Sequence, residues 1–175
     1  KKYLQGKHIA PYQIIFKSVY INFIPELLHS NTDQFVYEQK EKILVRKTGN
    51  ILMASLDSEQ YYTDQSLYNL YLKPNKWYSN KVLLAILNSK LLNYYYNKKL
   101  ITNADVFPYI KGVHLKMFPL PHLSDGIESE LSDLVDSIIQ HKKQNIDTSV
   151  ICNQIDTLVY HLYGLTDAEI EIIEQ

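Results

Sequence analysis

One segment of the chain, residues 42–72, concentrates hydrogen-bonding side chains at a single predicted turn. Arg46, Lys47, Thr48 and Asn50 surround Gly49 within an otherwise apolar stretch, "KILVRKTGNILMASLD". Arginine and lysine can donate to guanine O6 and N7, and asparagine can pair with adenine through two hydrogen bonds. The same side chains can bind phosphate, which positions a protein without reading sequence. The remaining alternative is a solvated turn with no ligand.

Patterns typical of catalysis are few. The five glycines are scattered, so the sequence has no glycine-rich phosphate loop. The six histidines lack zinc-site spacing, and Cys152 falls beside a predicted apolar helix stripe, where we expect it to pack. Asp33, Glu38 and Lys40 resemble the carboxylates and lysine of a Mg²⁺-dependent nuclease, or else form a solvated loop. We predict no catalytic residue and no metal site in this chain.

Charge is divided unevenly along the chain. Residues 1–122 hold 16 Lys/Arg and 8 Asp/Glu, a formal +8, whereas residues 123–175 hold 2 Lys/Arg and 11 Asp/Glu, a formal −9. This pattern favours contact between the basic part and a polyanion. Alternatively, the acidic part neutralises the basic part by packing on it. The basic part could also dock an acidic protein subunit.

The sequence also suggests where the protein works. No stretch approaches about 20 consecutive apolar residues, so we expect no membrane span. The single cysteine excludes an internal disulfide and fits a reducing compartment, so we expect a cytoplasmic protein. The chain begins at Lys1 without a methionine, and we expect it to be a fragment of something longer.

The elements that must position the turn residues are predicted to be strands. Residues 12–24 are rich in β-branched and aromatic side chains and predict one or two strands. Residues 42–47 and 50–57 predict a hairpin whose tight turn uses the positive φ available to Gly49. Residues 61–72 predict a third strand. Together the last three form an antiparallel meander.

Helices follow the sheet. Residues 80–97 are apolar almost all round, which predicts a core helix capped by Ser79 or Asn80. Residues 107–123 contain three prolines and are predicted to be extended. Beyond them, two amphipathic helices separated near Asp147 predict a helical hairpin, with Gly164 as a C-terminal cap and a capping box at 166–169. The fold class is therefore α+β, with a recognition domain at 1–122 and an α-helical spacer or docking segment at 123–175.

Three stretches together resemble a known family: residues 42–72, "LLAILNSKLLNYYY" and "FPYIKGVHLKMFPLP". They look like the C-terminal specificity (target recognition) domain of TaqI-like adenine DNA methyltransferases and of fused type IIG restriction–modification enzymes. The opening "QGKHI" resembles the start of that domain, where the family usually has Gly-Lys-Asp-Ile and this chain has His8. The end, "IDTLVYHLYGLTDAEIEIIE", is similar to the helix that closes many of these enzymes and type I specificity subunits.

The resemblance implies sequence-specific recognition of double-stranded DNA by one part of a larger enzyme, and a bacterial source. The sequence has no Asn-Pro-Pro-Tyr-like motif to hold a flipped adenine and no S-adenosylmethionine loop. It therefore implies no catalysis by this chain and no cofactor within it. S-adenosylmethionine, and Mg²⁺ if the parent cleaves DNA, would belong to the methyltransferase or nuclease part of the parent, which would be this chain's protein partner.

Candidate DNA contacts follow from the resemblance. Besides the turn at 46–50, they include the lysine of the Gly-Lys-x-Ile element, polar residues that follow the second turn, and the basic residues of the 107–123 segment. Tyr61 could equally pack across strands. The predicted DNA-contacting residues are Lys7, Arg46, Lys47, Thr48, Asn50, Tyr61, Gln65, Ser66, Lys111, His114 and Lys116.

Overall fold

A computed structural model describes residues 1–28, 30–73, 78–102, 108–123 and 126–175. Within these ranges short strands precede the long helices, which confirms the α+β prediction. The strands are β1 (Tyr3–Leu4), β2 (Ile9–Ala10), β3 (Gln13–Ile14), β4 (Lys42–Arg46), β5 (Ala54–Asp57), β6 (Tyr62–Thr63) and β7 (Leu67–Leu70). The helices are α1 (Gln34–Tyr37), α2 (Asn80–Asn88), α3 (Lys90–Tyr95), α4 (Gly112–Leu115), α5 (Ile127–Lys143), α6 (Ser149–Leu162) and α7 (Asp167–Glu174).

The three-stranded sheet has the order β5–β4–β7, so the predicted meander order is wrong. The strand predicted at 61–72 is two strands: β6 pairs in parallel with β1, and β7 pairs antiparallel with β4. Between them Ser66 N–H donates to the Asp64 carboxylate over 2.9 Å, and this turn redirects the chain to the free edge of β4. Strand β4 is therefore central, and its residues Ile43, Leu44 and Val45 are fully buried.

Two further predictions about local structure need correction. Of residues 12–24, only β3 is paired as a strand, and much of the remainder is irregular and exposed. The segment predicted to be extended contains α4, because residues 109–118, between Pro108 and Pro119, lack proline and can form a helical turn. Phe107, the first residue of that prediction, lies outside the described residues.

The predicted core helix is interrupted but otherwise as expected. Ser79 caps α2 by accepting a hydrogen bond from Val82 N–H over 3.3 Å. Ser89 ends α2 and begins α3, because its hydroxyl donates to the Ile86 carbonyl and accepts from Leu92 N–H. A π-helical turn, residues 96–100, continues α3.

The C-terminal helices share one hydrophobic core with the preceding residues. Helices α5 and α6 form the predicted antiparallel pair, and α5 packs on α2 while α6 packs on α3. Leu131, Val135 and Val159 are fully buried in the same cluster as Val82 and Ile86. The division into domains at residue 122 stays a prediction, but the two parts are not packed as separate cores.

Two predicted helix caps are confirmed near the end of the chain. Gly164 has a φ of +66°, the left-handed conformation expected after a helix end. Thr166 and Glu169 form the capping box that begins α7. In the described part of the chain, no helix has the length and apolar character needed to cross a membrane.

Candidate nucleic-acid interface

Four segments of the chain come together where β4 ends at Arg46. The backbone N–H of Gly6 donates to Ser66 Oγ over 2.7 Å, and that of Lys47 donates to the Ser66 carbonyl over 3.0 Å. Ile110 N–H then donates to the Lys47 carbonyl over 2.9 Å. These bonds join four segments into one surface, which we call the basic edge: residues 6–8, 46–53, 64–68 and 108–117.

Ten of the eleven predicted DNA contacts lie on the basic edge. Five of them have exposed side chains: Lys7, Asn50, Gln65, Lys111 and Lys116. Five are half-buried: Arg46, Lys47, Thr48, Ser66 and His114. The segments that carry them are distant in sequence, so their convergence is a product of the fold.

The loop between β4 and β5, residues 47–53, is not the tight, protruding turn that was predicted. Gly49 does have a positive φ, +129°, but the loop is seven residues long and is tied to the body of the domain. Gly49 N–H donates to the Pro108 carbonyl over 2.9 Å, and the Tyr96 hydroxyl donates to the Gly49 carbonyl over 2.6 Å. Its backbone is fixed, so its side chains are presented from a rigid support.

Lys47 is held by an aromatic ring. Its Nζ lies 4.4 Å from the centroid of the Tyr68 ring, within the range of a cation–π interaction. The Tyr68 hydroxyl donates to the Ile110 carbonyl over 3.3 Å, which fixes the ring. Partial burial lowers the pKa of Lys47 from its ordinary value, and Asp64 opposes this shift. A phosphate would relieve the cost of burying this charge.

Arg46 is fixed along its stem. Its backbone N–H donates to the Met53 carbonyl over 3.0 Å, and its Nη1 lies 3.8 Å from Met53 Sδ. Its Nε is buried with no hydrogen-bond partner among the described residues. A Cβ on Gly6 would lie 3.5 Å from Arg46 Cγ, so the start of the domain packs against this side chain. Because Nε is buried, any donor that Arg46 offers to a ligand lies on its Nη atoms.

Comparison with known proteins assigns the residues that form this surface to a family. The TaqI-like C-terminal specificity domain family matches residues 1–120. The chain belongs to that family. The match contains every residue of the basic edge, and it ends before α5.

A relative of this specificity domain is known from an archaeon. It is a candidate type II restriction enzyme and methyltransferase of Methanocaldococcus jannaschii, 30% identical over 152 residues. The match covers 81% of this chain but only 13% of that protein. The relative is archaeal, so the bacterial origin expected from the sequence finds no support in it.

Tyr61 is the one predicted contact that does not reach the basic edge of the specificity domain. It is 6% exposed and lies at the other end of β4, where its N–H donates to Asp57 over 3.0 Å. Its ring contacts Phe16, with 5.2 Å between centroids. Burial, together with Glu59, raises the pKa of Tyr61 to about 12. The prediction that Tyr61 faces a DNA groove is therefore inconsistent with its position, and the packing alternative fits.

His8 stands where the resemblance noted above led us to expect aspartate. Its Nδ1 accepts a hydrogen bond from Gln5 N–H over 3.0 Å, a bond that a carboxylate could accept equally well. His8 is 3% exposed. Burial lowers the pKa of the imidazole, and Lys7 and Lys17 add to the effect. His8 therefore supports the turn that carries Lys7.

The nuclease-like residues have an ordinary structural role. Asp33 caps α1 by accepting from Phe35 N–H over 3.0 Å, and Glu38 accepts from Gln34 over 2.6 Å. Lys40 is exposed. Among the described residues no three His, Cys, Asp or Glu side chains are grouped so that they could hold a metal ion.

Among the described residues, the acidic C-terminal helices form ion pairs with lysines of α2 and α3 and not with cations of the basic edge. Lys81 on α2 pairs with Asp136 at 2.6 Å, and Lys90 on α3 pairs with Glu174 at 2.6 Å. The other ion pairs in the described ranges involve Lys2, Lys42 and a second, longer contact of Lys90. No cation of the basic edge has a carboxylate partner within 4.0 Å among the described residues.

Sequence reasoning missed Tyr68, the ring that supports Lys47. It also did not identify the exposed apolar residues Val113 and Met117, because the predicted DNA contacts are all polar, charged or tyrosine side chains. Tyr68 lies beside the loop because it pairs with Val45 in the register of β4 against β7, and the sequence does not specify that register.

Proposed function

We propose that this chain recognises a specific double-stranded DNA sequence as the specificity domain of a longer restriction–modification enzyme that methylates adenine N6, and that it is not catalytic by itself. The observation that carries the proposal is the basic edge, where cations from three of its four segments converge without carboxylate partners among the described residues. DNA supplies the phosphates that such cations need. Membership of a specificity-domain family supports DNA over other polyanions.

The side chains of the basic edge divide into two proposed roles. Lys7, Lys47, Lys111 and Lys116 bind phosphates and set the position of the protein on the duplex. Arg46 has its guanidinium Nη donors on a fixed stem, which suits a guanine edge. The exposed side chains of Asn50 and Gln65 and the half-buried Thr48 add further hydrogen-bonding groups. Ser66 has a different role, since its hydroxyl already bonds to Gly6 and Asp64.

The catalytic chemistry is assigned to the rest of the parent protein. The Methanocaldococcus relative, named for both restriction and methylation, is far longer than its matched segment, which supports this assignment. S-adenosylmethionine, and Mg²⁺ for any cleavage, would be bound there. The 175-residue chain alone is expected to transfer no labelled methyl group to duplex DNA in the presence of S-adenosylmethionine. Methyl transfer by this chain would contradict the non-catalytic assignment.

The test of DNA recognition is a binding titration of the full-length protein. Duplexes are first selected from a randomised library and then titrated, with scrambled duplexes for comparison, at several salt concentrations. The triple variant Lys7→Ala/Lys111→Ala/Lys116→Ala should weaken binding to both duplexes and flatten the log–log salt slope by about three units, about one for each lost phosphate contact. Arg46→Ala should cost about 1–3 kcal/mol on the selected duplex and relax preference at one base pair.

The matched control is Lys142→Ala/Lys143→Ala, which removes lysines from α5 and should leave the salt slope unchanged. If the library yields no enriched sequence and the protein shows no salt-dependent duplex binding, DNA recognition is wrong. Retention of an acidic protein subunit on the basic edge, without duplex binding, would instead support the interaction-module alternative.

A further inference from the structure

Helix α4 and the turn that follows it present two apolar side chains to solvent on the basic edge. Val113 is 57% exposed and Met117 is 59% exposed. Met117 lies in the turn that directly follows α4, where its N–H donates to the His114 carbonyl over 3.0 Å, so both exposed side chains belong to one short segment of the chain. Lys111 and Lys116, both exposed, flank them.

The position of α4 is fixed by close contacts. A Cβ on Gly112 would lie 3.2 Å from Tyr68 Cε1, closer than ordinary van der Waals contact. Glycine therefore lets the start of α4 approach the ring that supports Lys47. The preceding Ile110 N–H bonds to the Lys47 carbonyl over 2.9 Å. Val113 and Met117 consequently project from a backbone that is locked to the proposed phosphate-binding residues.

The surroundings of this apolar pair favour one kind of occupant. A protein surface that covers Val113 and Met117 would also bury Lys111 and Lys116, which have no carboxylate partner in the described part of the chain. A DNA groove offers the matching arrangement, because phosphates line its rims and base edges form its floor. In the major groove the apolar group on that floor is the C5-methyl of thymine, and apolar side chains make specific contacts with it.

We propose that Val113 and Met117 contact thymine C5-methyl groups in the major groove and so contribute to target specificity, while Lys111 and Lys116 hold the adjacent phosphates. This inference rests on the proposed DNA-recognition function and adds an apolar component to it. The pair selects for the presence of a methyl group, which the hydrogen-bonding residues of the loop do not detect.

The test replaces each thymine of a selected duplex with deoxyuridine, one position at a time, which removes only the C5-methyl. The full-length protein should bind about fourfold more weakly at one or two positions, the effect of withdrawing one buried methyl group. The variants Val113→Ala and Met117→Ala should each lose this response at one position. Both substitutions shorten exposed side chains, so the fold should be retained, as circular dichroism would verify.

The matched control is Val150→Ala, an exposed valine on α6 that should leave the deoxyuridine response as in the wild type. The inference is overturned if no deoxyuridine position weakens binding, or if the response persists in both variants. In either case salt-dependent binding to the selected duplex would still stand, so failure here differs from failure of DNA recognition. Loss of catalytic-part association in the variants, with an unchanged deoxyuridine response, would show that α4 contacts protein instead.

Discussion

Lys47 Nζ lies 4.4 Å from the centroid of the Tyr68 ring, so the cation nearest the centre of the basic edge rests on an aromatic surface. The ring is fixed by its bond to the Ile110 carbonyl. The arrangement restricts the lysine before any ligand binds. A phosphate would then meet a charge that is already in place.

Substitutions of this pair should distinguish the effect of the Lys47 charge from that of the Tyr68 ring that supports it. Lys47→Ala should weaken binding to selected and scrambled duplexes alike and reduce the log–log salt slope by about one unit, since one phosphate contact is lost. Tyr68→Leu keeps the charge but removes the ring, so it should weaken binding with an unchanged salt slope. Fluorescence anisotropy at several salt concentrations measures both quantities. Wild-type affinity and slope in both variants would show that the pair does not contact DNA.

The buried ion pair between Lys42 and Asp57 should be important for stability. Both side chains are fully buried, 2.5 Å apart, and Asp57 also accepts from the N–H groups of Glu59 and Tyr61. Lys42→Met would leave a buried carboxylate without its cation and should lower the free energy of unfolding by about 3–5 kcal/mol. Urea denaturation measures this change.

The chain provides a matched control for that prediction. Lys2 and Glu59 pair at the same distance, 2.5 Å, but both are exposed, so Lys2→Met should leave the urea midpoint nearly unchanged. The double variant Lys42→Met/Asp57→Asn should regain part of the lost stability, because the isolated charge is removed. Equal midpoint shifts for Lys42→Met and Lys2→Met would contradict the role assigned to burial.

His8 should make stability depend on pH. Its folded-state pKa lies below the ordinary value near 6.5, because burial disfavours the imidazolium. As pH falls below about 6.5, the unfolded chain gains a proton that the folded chain does not, so the free energy of unfolding decreases until the folded-state pKa is reached. Above about 6.5 both states are neutral at His8 and this contribution is constant.

The measurement compares wild type with His8→Asn by urea denaturation from about pH 7.5 to about pH 5.5. Asparagine can still accept from Gln5 N–H but cannot be protonated, so the variant should lose less stability on acidification. His8→Ala removes the acceptor and should be less stable at every pH. Identical losses in wild type and His8→Asn would mean that His8 titrates normally in the folded state.

The shared core predicts that the chain unfolds as one unit. Ile43 lies in the sheet and Leu131 in α5, yet both are fully buried in the same cluster. Replacing either with alanine should cost about 2–5 kcal/mol and shift a single thermal transition. Removing residues 123–175 should expose the buried faces of α2 and α3 and cause aggregation. A soluble truncated chain with the wild-type melting temperature would support two independent domains.

Local signals in the sequence predicted local structure well. Ser79, Gly164 and the Thr166–Glu169 box act within one helical turn, and each forms the cap that its residue type indicates. The order of the strands in the sheet was not predicted correctly, because the apolar pattern of the third predicted strand allows it to pair with either β4 or β5. The choice depends on the turn at Asp64, which sends β7 to the far edge of the sheet.

The same difference between local signals and long-range contacts explains which features of the basic edge could be predicted. The lysines of the basic edge could be identified from the sequence by their charge, and the structure gathers them on one edge. The burial of Tyr61 depends on Phe16, a residue distant in sequence, and so could not be deduced from the strand pattern. The support that Tyr68 gives Lys47 depends on a register that the sequence does not specify. The three prolines of residues 107–123 favoured an extended segment, so the four-residue helix α4 between two of them was not predicted.

The rest of the domain holds loop 47–53 in place through the loop's own peptide groups. Gly49 bonds to Pro108 and Tyr96 through its peptide groups, and Lys47 bonds to Ser66 and Ile110 in the same way. The outward side chains of the loop can therefore be exchanged at little risk to the scaffold. Positions 47, 48 and 50 are consequently suited to combinatorial randomisation, through which a single folded framework could be given new sequence preferences by substitution alone.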